Sequence, residues 1–195
     1  IASAAALALV LFYVVLTVWV RERWAISLLQ AGTFLLGIAW ARAWAAGRAG
    51  LHYSFLLFPL AGAVLWGGLQ LALGSTVYRF DTWNAVLFWA TALVIVEVSA
   101  QTLGRGQIRE GFLRGLLYFG FGISVLATTQ YFTSQGKIFW LFPSGYPDAM
   151  GPFVYRNNYA AFIELLLPLA VLEAIRDLRN ATLFAVMAGV MYASV

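Results

Sequence analysis

Hydrophobic residues run along this chain in blocks of about twenty, separated by short polar breaks. Seven blocks stand out, at roughly residues 1–20, 24–46, 51–73, 84–102, 112–131, 157–175 and 181 to the end. About 20 apolar residues in a helix cross the hydrocarbon core of a bilayer. The pattern predicts an all-α fold: a polytopic transmembrane helical bundle of about seven spans, read as a single transmembrane domain over 1–195. Most breaks are short: Arg21-Glu22-Arg23, Gly47-Arg48, Leu103 to Gly111, and Arg176 to Asn180. Two connections differ in kind. Gly74 to Trp83 mixes charge with aromatic rings, and Phe132 to Arg156 is the longest and is rich in Gly, Pro and aromatics. Tyr and Trp at such edges suit the membrane interface, where an apolar ring meets a wet polar tip.

Composition points the same way. Apolar residues make up 63% of the chain and charged residues 10%, against about 25% charged in soluble domains. The mean hydropathy is +0.84. The net charge of +4 is small and scattered, so it carries topology information and gives no nucleic-acid patch. The absence of cysteine removes disulfides and thiolate metal sites, and a lone histidine, His52, argues against a histidine-built metal site. The first residue is Ile and both ends fall in hydrophobic runs. The chain is therefore expected to be the N-terminal part of a longer protein. The first run lacks the basic lead and cleavage site of a signal peptide and is long enough to span.

Basic residues set the expected orientation. The second, fourth and sixth connections with their helix ends hold seven: Arg42, Arg48, Arg105, Arg109, Arg114, Arg176 and Arg179. The first, third and fifth hold five: Arg21, Arg23, Arg79, Lys137 and Arg156. The excess of basic residues belongs inside. This places the N-terminus inside and the long aromatic connection outside.

The densest polar signature opens the sixth span, in GPFVYRNNYAAFIELLLPLA from Gly151 to Ala170. Asn157 and Asn158 stand where a helix N-cap is expected. A helix N-terminus carries partial positive charge and free amides that accept an anion, and Arg156 adds a guanidinium that can grip a phosphate. The simpler role is capping by the two Asn and headgroup anchoring by Arg156. Glu164 lies about 9 Å inside the helix, a depth at which a carboxylate should face protein or water. It is either a general base for an acceptor hydroxyl or the buried partner of an arginine, the second reading being favoured. Pro168 frees the Glu164 carbonyl and favours a kink, and Pro59 predicts another. Arg79 and Asp81 either line the same cavity or form a surface ion pair. Glu97 is expected to pair with a basic residue of the next connection. Gly111 and Gly115 fit small-residue helix packing.

The pattern Gly-Pro-Phe-Val-x-Arg-Asn-x-x-Ala-x-x-x-Glu-x-x-x-Pro-Leu-Ala resembles the signature of the O-antigen ligase and polymerase superfamily. The resemblance covers about Phe142 to Leu172. Arg156, Asn157, Glu164 and Pro168 match, whereas Tyr155 stands where Asn is common and Asn158 where His is common. The resemblance implies a multi-pass glycosyltransferase of the bacterial cytoplasmic (inner) membrane. Such an enzyme transfers a glycan from a polyprenyl pyrophosphate carrier to a lipid, glycan or protein hydroxyl on the outer face. It implies Arg156 and Glu164 as catalytic residues, with Tyr155, Asn157 and Asn158 binding the carrier-linked glycan, and no cofactor or metal; Arg79, on the same expected side as Arg156, is a further candidate for that binding. Other readings are an accessory subunit of a larger membrane complex or a lipid or glycan transporter.

Overall fold

A computed structural model describes residues 2–47, 54–104 and 106–195. His52, Arg48 and Arg105, which entered the sequence reading, lie outside these residues. The described chain is all-α, with one small hairpin. Its helices are α1 (Ala2–Thr17), α2 (Arg23–Ala45), α3 (Leu57–Leu73), α4 (Arg79–Thr102), α5 (Gly106–Thr133), α6 (Arg156–Arg176) and α7 (Ala181–Ala193), with strands β1 (Lys137–Ile138) and β2 (Phe142–Pro143) between α5 and α6. Four helices are long and apolar enough to cross a membrane: α2, α4, α5 and α6. The others are apolar but shorter, α7 having 13 residues. Seven helices follow the seven hydrophobic blocks. Four of them carry the length of a span.

The chain divides into two compact units, one of Ile1–Leu11 with Glu22–Arg109 and one of Phe12–Arg21 with Glu110–Val195. In the first, α4 packs against both α3 and α2. Its close approaches are made by Gly37 and Gly67, where a Cβ would lie 2.8 Å and 2.5 Å from methyls of Val94 and Val86. Gly74 ends α3 at φ +64, with Ser75 N–H donating to the Gln70 carbonyl and Gly74 N–H to that of Leu71, the Schellman closure. The expected connection from Gly74 to Trp83 is shorter than the sequence implies, because α4 already begins at Arg79. Thr82 explains the early start: its N–H and its hydroxyl both donate to the Tyr78 carbonyl. Arg23 then ties the start of α2 to α4, donating to Asn84 Oδ1 at 2.6 Å and stacking 4.3 Å from the Phe80 ring. Arg79 and Asp81 form no ion pair, since the ion pairs of the described residues involve Arg114 alone. Glu97 accepts a hydrogen bond from Gln101 one turn on. Pro59 sits in the first turn of α3, where its missing N–H has no helical partner to lose.

The second unit is built on three matching stripes. On α5 the buried positions Leu117, Gly120, Ser124, Ala127 and Gln130 are spaced by threes and fours. On α6 they are Tyr159, Ile163, Leu166, Ala170 and Glu173. On α7 they are Phe184, Met187 and Met191. This near-heptad spacing keeps one seam of each helix facing its neighbours. The seams merge with Met150 and Phe153 from the long connection into one core. Gly120 admits Leu166 and Met191 where a Cβ would collide. The expected packing glycines Gly111 and Gly115 instead have no atom within 4 Å of a notional Cβ, because they lie off this seam.

Polar residues close both ends of the stripes. At one end, Arg114 Nε donates to Glu173 Oε2 at 2.9 Å and Nη2 to Asp177 Oδ2 at 3.1 Å. Asp177 lies just beyond α6. Its carboxyl is held below its ordinary value, first by the side chain of Asn180, then by the Asn180 backbone N–H and the Arg114 charge. At the other end the buried Tyr159 hydroxyl meets Ser194 Oγ at 2.5 Å. Ser194 donates to the Met191 carbonyl, so Tyr159 is the donor in that pair.

Two stability tests follow from these contacts. Gln130→Leu strands three backbone groups of the long connection (below) and is expected to lower stability by about 1–3 kcal/mol per unsatisfied buried group, read as a fall in thermal midpoint in detergent. Arg114→Leu leaves Glu173, 4% exposed, without its cation. The expected loss is about 1–3 kcal/mol, less than for a fully buried pair because the Arg114 side chain is 39% exposed. Because the Asp177 value is depressed in the fold, its contribution is present above the ordinary carboxylate pKa and is lost as pH falls through the depressed value. The acid loss of stability should shrink in Asp177→Asn, measured by melting across pH 2–6.

Candidate functional site

The long connection between α5 and α6 is folded around one buried side chain. Gln130 is fully buried. Its Oε1 accepts the Phe139 N–H at 2.9 Å, and its Nε2 donates to the carbonyls of Gly151 at 3.1 Å and Ala149 at 3.5 Å. A polar end to the α5 stripe thus gathers three points of the loop.

The loop's first half is the β1–β2 hairpin, with Ile138 paired to Phe142. Leu141 N–H donates to the Ile138 carbonyl across Phe139 and Trp140, whose φ values are +50 and +61. Two successive positive φ values belong to the mirror-image turn usually made by Asn-Gly. Here large rings occupy it, held by Gln130 and by Trp140 Nε1 donating to Thr133 Oγ1 at 2.8 Å.

The second half explains Gly151-Pro152-Phe153. Met150 and Phe153 exchange backbone hydrogen bonds of 2.9 Å across a turn with Gly151 at φ +58. A Cβ on Gly151 would lie 3.3 Å from Ala127. The glycine is required by conformation and by contact with α5, and it delivers the chain to the start of α6.

That start corrects the expected capping. Tyr155 is the last extended residue, at φ −111 and ψ 128, and Arg156 already belongs to α6. Asn157 and Asn158 fall inside the first turn and provide no side-chain cap. The helix closes earlier because the N–H groups of Asn158 and Tyr159 both donate to the Tyr155 carbonyl. Arg156 does not face the same neighbours as Asn158. Its Nε and Nη2 donate to the Val195 carbonyl, so it ties the start of α6 to the end of α7.

A cleft of about 150 Å³ opens beside this turn, lined by Val18, Trp19, Arg21, Phe153, Val154, Tyr155 and Asn158. The Trp19 ring rests on Phe142 of the hairpin at 4.6 Å. Tyr155 donates its hydroxyl to Tyr146 at 3.1 Å, with ring centroids 5.0 Å apart. That bond holds the Tyr155 phenol above its ordinary value, and the Arg21 charge acts weakly in the opposite sense. Arg21 makes no ion pair with a described carboxylate. Its sequence signal, a polar break after an apolar run, marks it only as an orientation determinant. The arrangement is a cation outside the ion pairs of the described residues, an amide and one phenol beside apolar walls, which suits a small anionic headgroup. The volume is below the roughly 300–1,000 Å³ of sites that enclose a drug-sized ligand.

The other expected site residues lie elsewhere. Glu164 is exposed on α6 and lines an open groove, and it has no arginine partner among the described residues. The buried partner of an arginine is Glu173. The core stripe explains the difference: Glu173 lies on it and Glu164 does not. Arg79 belongs to the other unit, where it lines a separate open cleft of about 750 Å³ with Leu71, Ala72, Phe80 and Trp83. No metal-binding cluster of His, Cys, Asp or Glu occurs among the described residues.

No family model, curated protein or solved structure matches the chain.

The Tyr155–Tyr146 bond gives an alkaline prediction. A raised phenol contributes stability that is full below the ordinary value of 10.0 and is lost as pH rises through the raised value. The difference ultraviolet titration of wild type minus Tyr155→Phe should show one tyrosine ionising above pH 10. An ordinary midpoint would mean that the pair is not formed in solution.

Proposed function

We propose that this chain forms part of an O-antigen ligase-like membrane glycosyltransferase. The reaction is transfer of a glycan from a polyprenyl pyrophosphate to an acceptor hydroxyl at the outer face of the bacterial cytoplasmic membrane, with the N-terminus inside. Four span-length apolar helices support a membrane setting. The observation that carries the reading is the cleft at the start of α6, where the residues after α1 bring Arg21 beside Tyr155 and Asn158.

In this reading the acceptor oxygen forms a bond to the anomeric carbon as the bond to pyrophosphate breaks. Negative charge then grows on the departing phosphate. A preorganised cation and amide donors favour that charge development, which is the work given to Arg21 and Asn158. Trp19 and Phe153 supply apolar walls for the first part of the lipid. The cleft takes the headgroup and leaves the glycan and the chain outside it. Arg156 acts as a positioning residue, through its hold on the Val195 carbonyl. Arg79 and Asn157 are not assigned a contact. Among the described residues neither carboxylate nor imidazole lines the cleft, so in this reading the acceptor proton leaves to a base beyond it. That feature favours the second reading, an accessory subunit that binds the lipid headgroup without performing transfer.

Arg21→Ala and Asn158→Ala, each made in the protein in its native membrane, separate the two. Loss of one charge-assisted hydrogen bond corresponds to about 1.5–3 kcal/mol, roughly a ten- to hundredfold fall. Under the transferase reading both variants lose glycan transfer by that factor while the fold is kept. Unchanged transfer in both would remove the cleft from the reaction, and transfer that persists when the whole chain is deleted would end the enzyme reading.

A further inference from the structure

A helix that crosses a bilayer must satisfy its polar groups without water. On α6, Glu164 has no such satisfaction. It lies eight residues from Arg156 and twelve from Arg176, about 12 Å and 18 Å along the axis at 1.5 Å per residue. Its side chain is exposed. It joins neither ion pair of the described residues. Four residues on, Pro168 has no N–H, so the Glu164 carbonyl lacks its helical donor as well. One residue therefore presents a carboxylate and a free backbone acceptor at the same level of the helix.

Both sit by an open groove of about 480 Å³, whose other walls are Leu167, Pro168, Val171, Leu172 and Ile175. The walls fit an apolar helix, and hydrocarbon tails donate no hydrogen bond. Intramembrane carboxylates are found paired, facing protein or a wet cavity. We propose that this groove docks a further membrane-spanning helix carrying an arginine or lysine opposite Glu164. A second copy of this chain does not supply that charge. The basic residues of its described helices lie within four residues of a helix end, except Arg114. Arg114 is already engaged by Glu173 and Asp177. The occupant is thus a different helix, with a cation near its middle. The proposal stands independently of glycan transfer.

The test places the photocrosslinker p-benzoylphenylalanine at Val171, 47% exposed in the groove wall, and irradiates the protein in its native membrane. The crosslinked peptide is expected to be an apolar stretch of span length with one central Arg or Lys. Glu164→Leu should lower its yield at least tenfold, and Glu164→Lys combined with the reciprocal change of that basic residue to Glu should restore it. Glu164 lies off the core stripe, so these variants should keep the wild-type melting temperature in detergent. Adducts confined to lipid, adducts to a second copy of this chain, or a yield indifferent to Glu164→Leu would each overturn the proposal.

Discussion

The site in this chain depends on one buried amide. Gln130 ends the apolar stripe of α5, and in a dry core its oxygen and nitrogen must find partners. It finds them in Phe139, Ala149 and Gly151, residues 9, 19 and 21 positions later. Those bonds fold a connection that the chain would otherwise have to satisfy with water. They hold the hairpin against the end of α5 and seat the Gly151 turn on Ala127. They also set where α6 begins. The cleft is a consequence: it exists because the loop closes beside the segment that follows α1.

The same logic explains why the fold was easier to read than the packing. Blocks of apolar residues announce helices, and all seven appear close to their expected limits. Span length is a stricter matter, and among the described residues α2, α4, α5 and α6 reach it. The faces were not legible, because a helix apolar all round gives no amphipathic signal. What marks the seam of α5 and α6 is the polar residues that share its spacing. Arg114 and Gln130 bracket one seam, and Arg156 and Glu173 lie in register with the other. A search for polar residues at the three- and four-residue spacing of each stripe finds them, whereas a search for apolar periodicity does not.

Local signatures misled where two residue roles share one sequence. Asn is a favoured cap, yet the Tyr155 carbonyl accepts two N–H groups and starts the helix before either Asn. Gly151-Pro152 opens the pattern that resembles the family signature, and its physical content is a left-handed turn at Gly151 pressed on Ala127. Arg21 was invisible as a site residue because its partners come from more than 120 positions away, through a loop whose path depends on the buried Gln130. The tip of that loop carries two aromatic residues at positive φ, a conformation that costs energy and that no propensity would assign to Phe139 and Trp140.

The two glutamates of α6 show what position does to one chemical group. Glu164 and Glu173 are nine residues apart, which at 100° per residue sets them on opposite faces. Glu173 continues the series Tyr159, Ile163, Leu166 and Ala170, so it is carried into the core and must meet a cation there. Arg114 stands at the matching end of the α5 stripe and meets it at 2.9 Å. Glu164 is carried outward with Pro168, onto a face that the helices of its own unit leave open. A helix satisfied on one side by its own unit and unsatisfied on the other is not a finished surface in a bilayer. The polar group that looks most like a catalytic base in the sequence is therefore better understood as one half of an ion pair whose other half comes from outside the described helices.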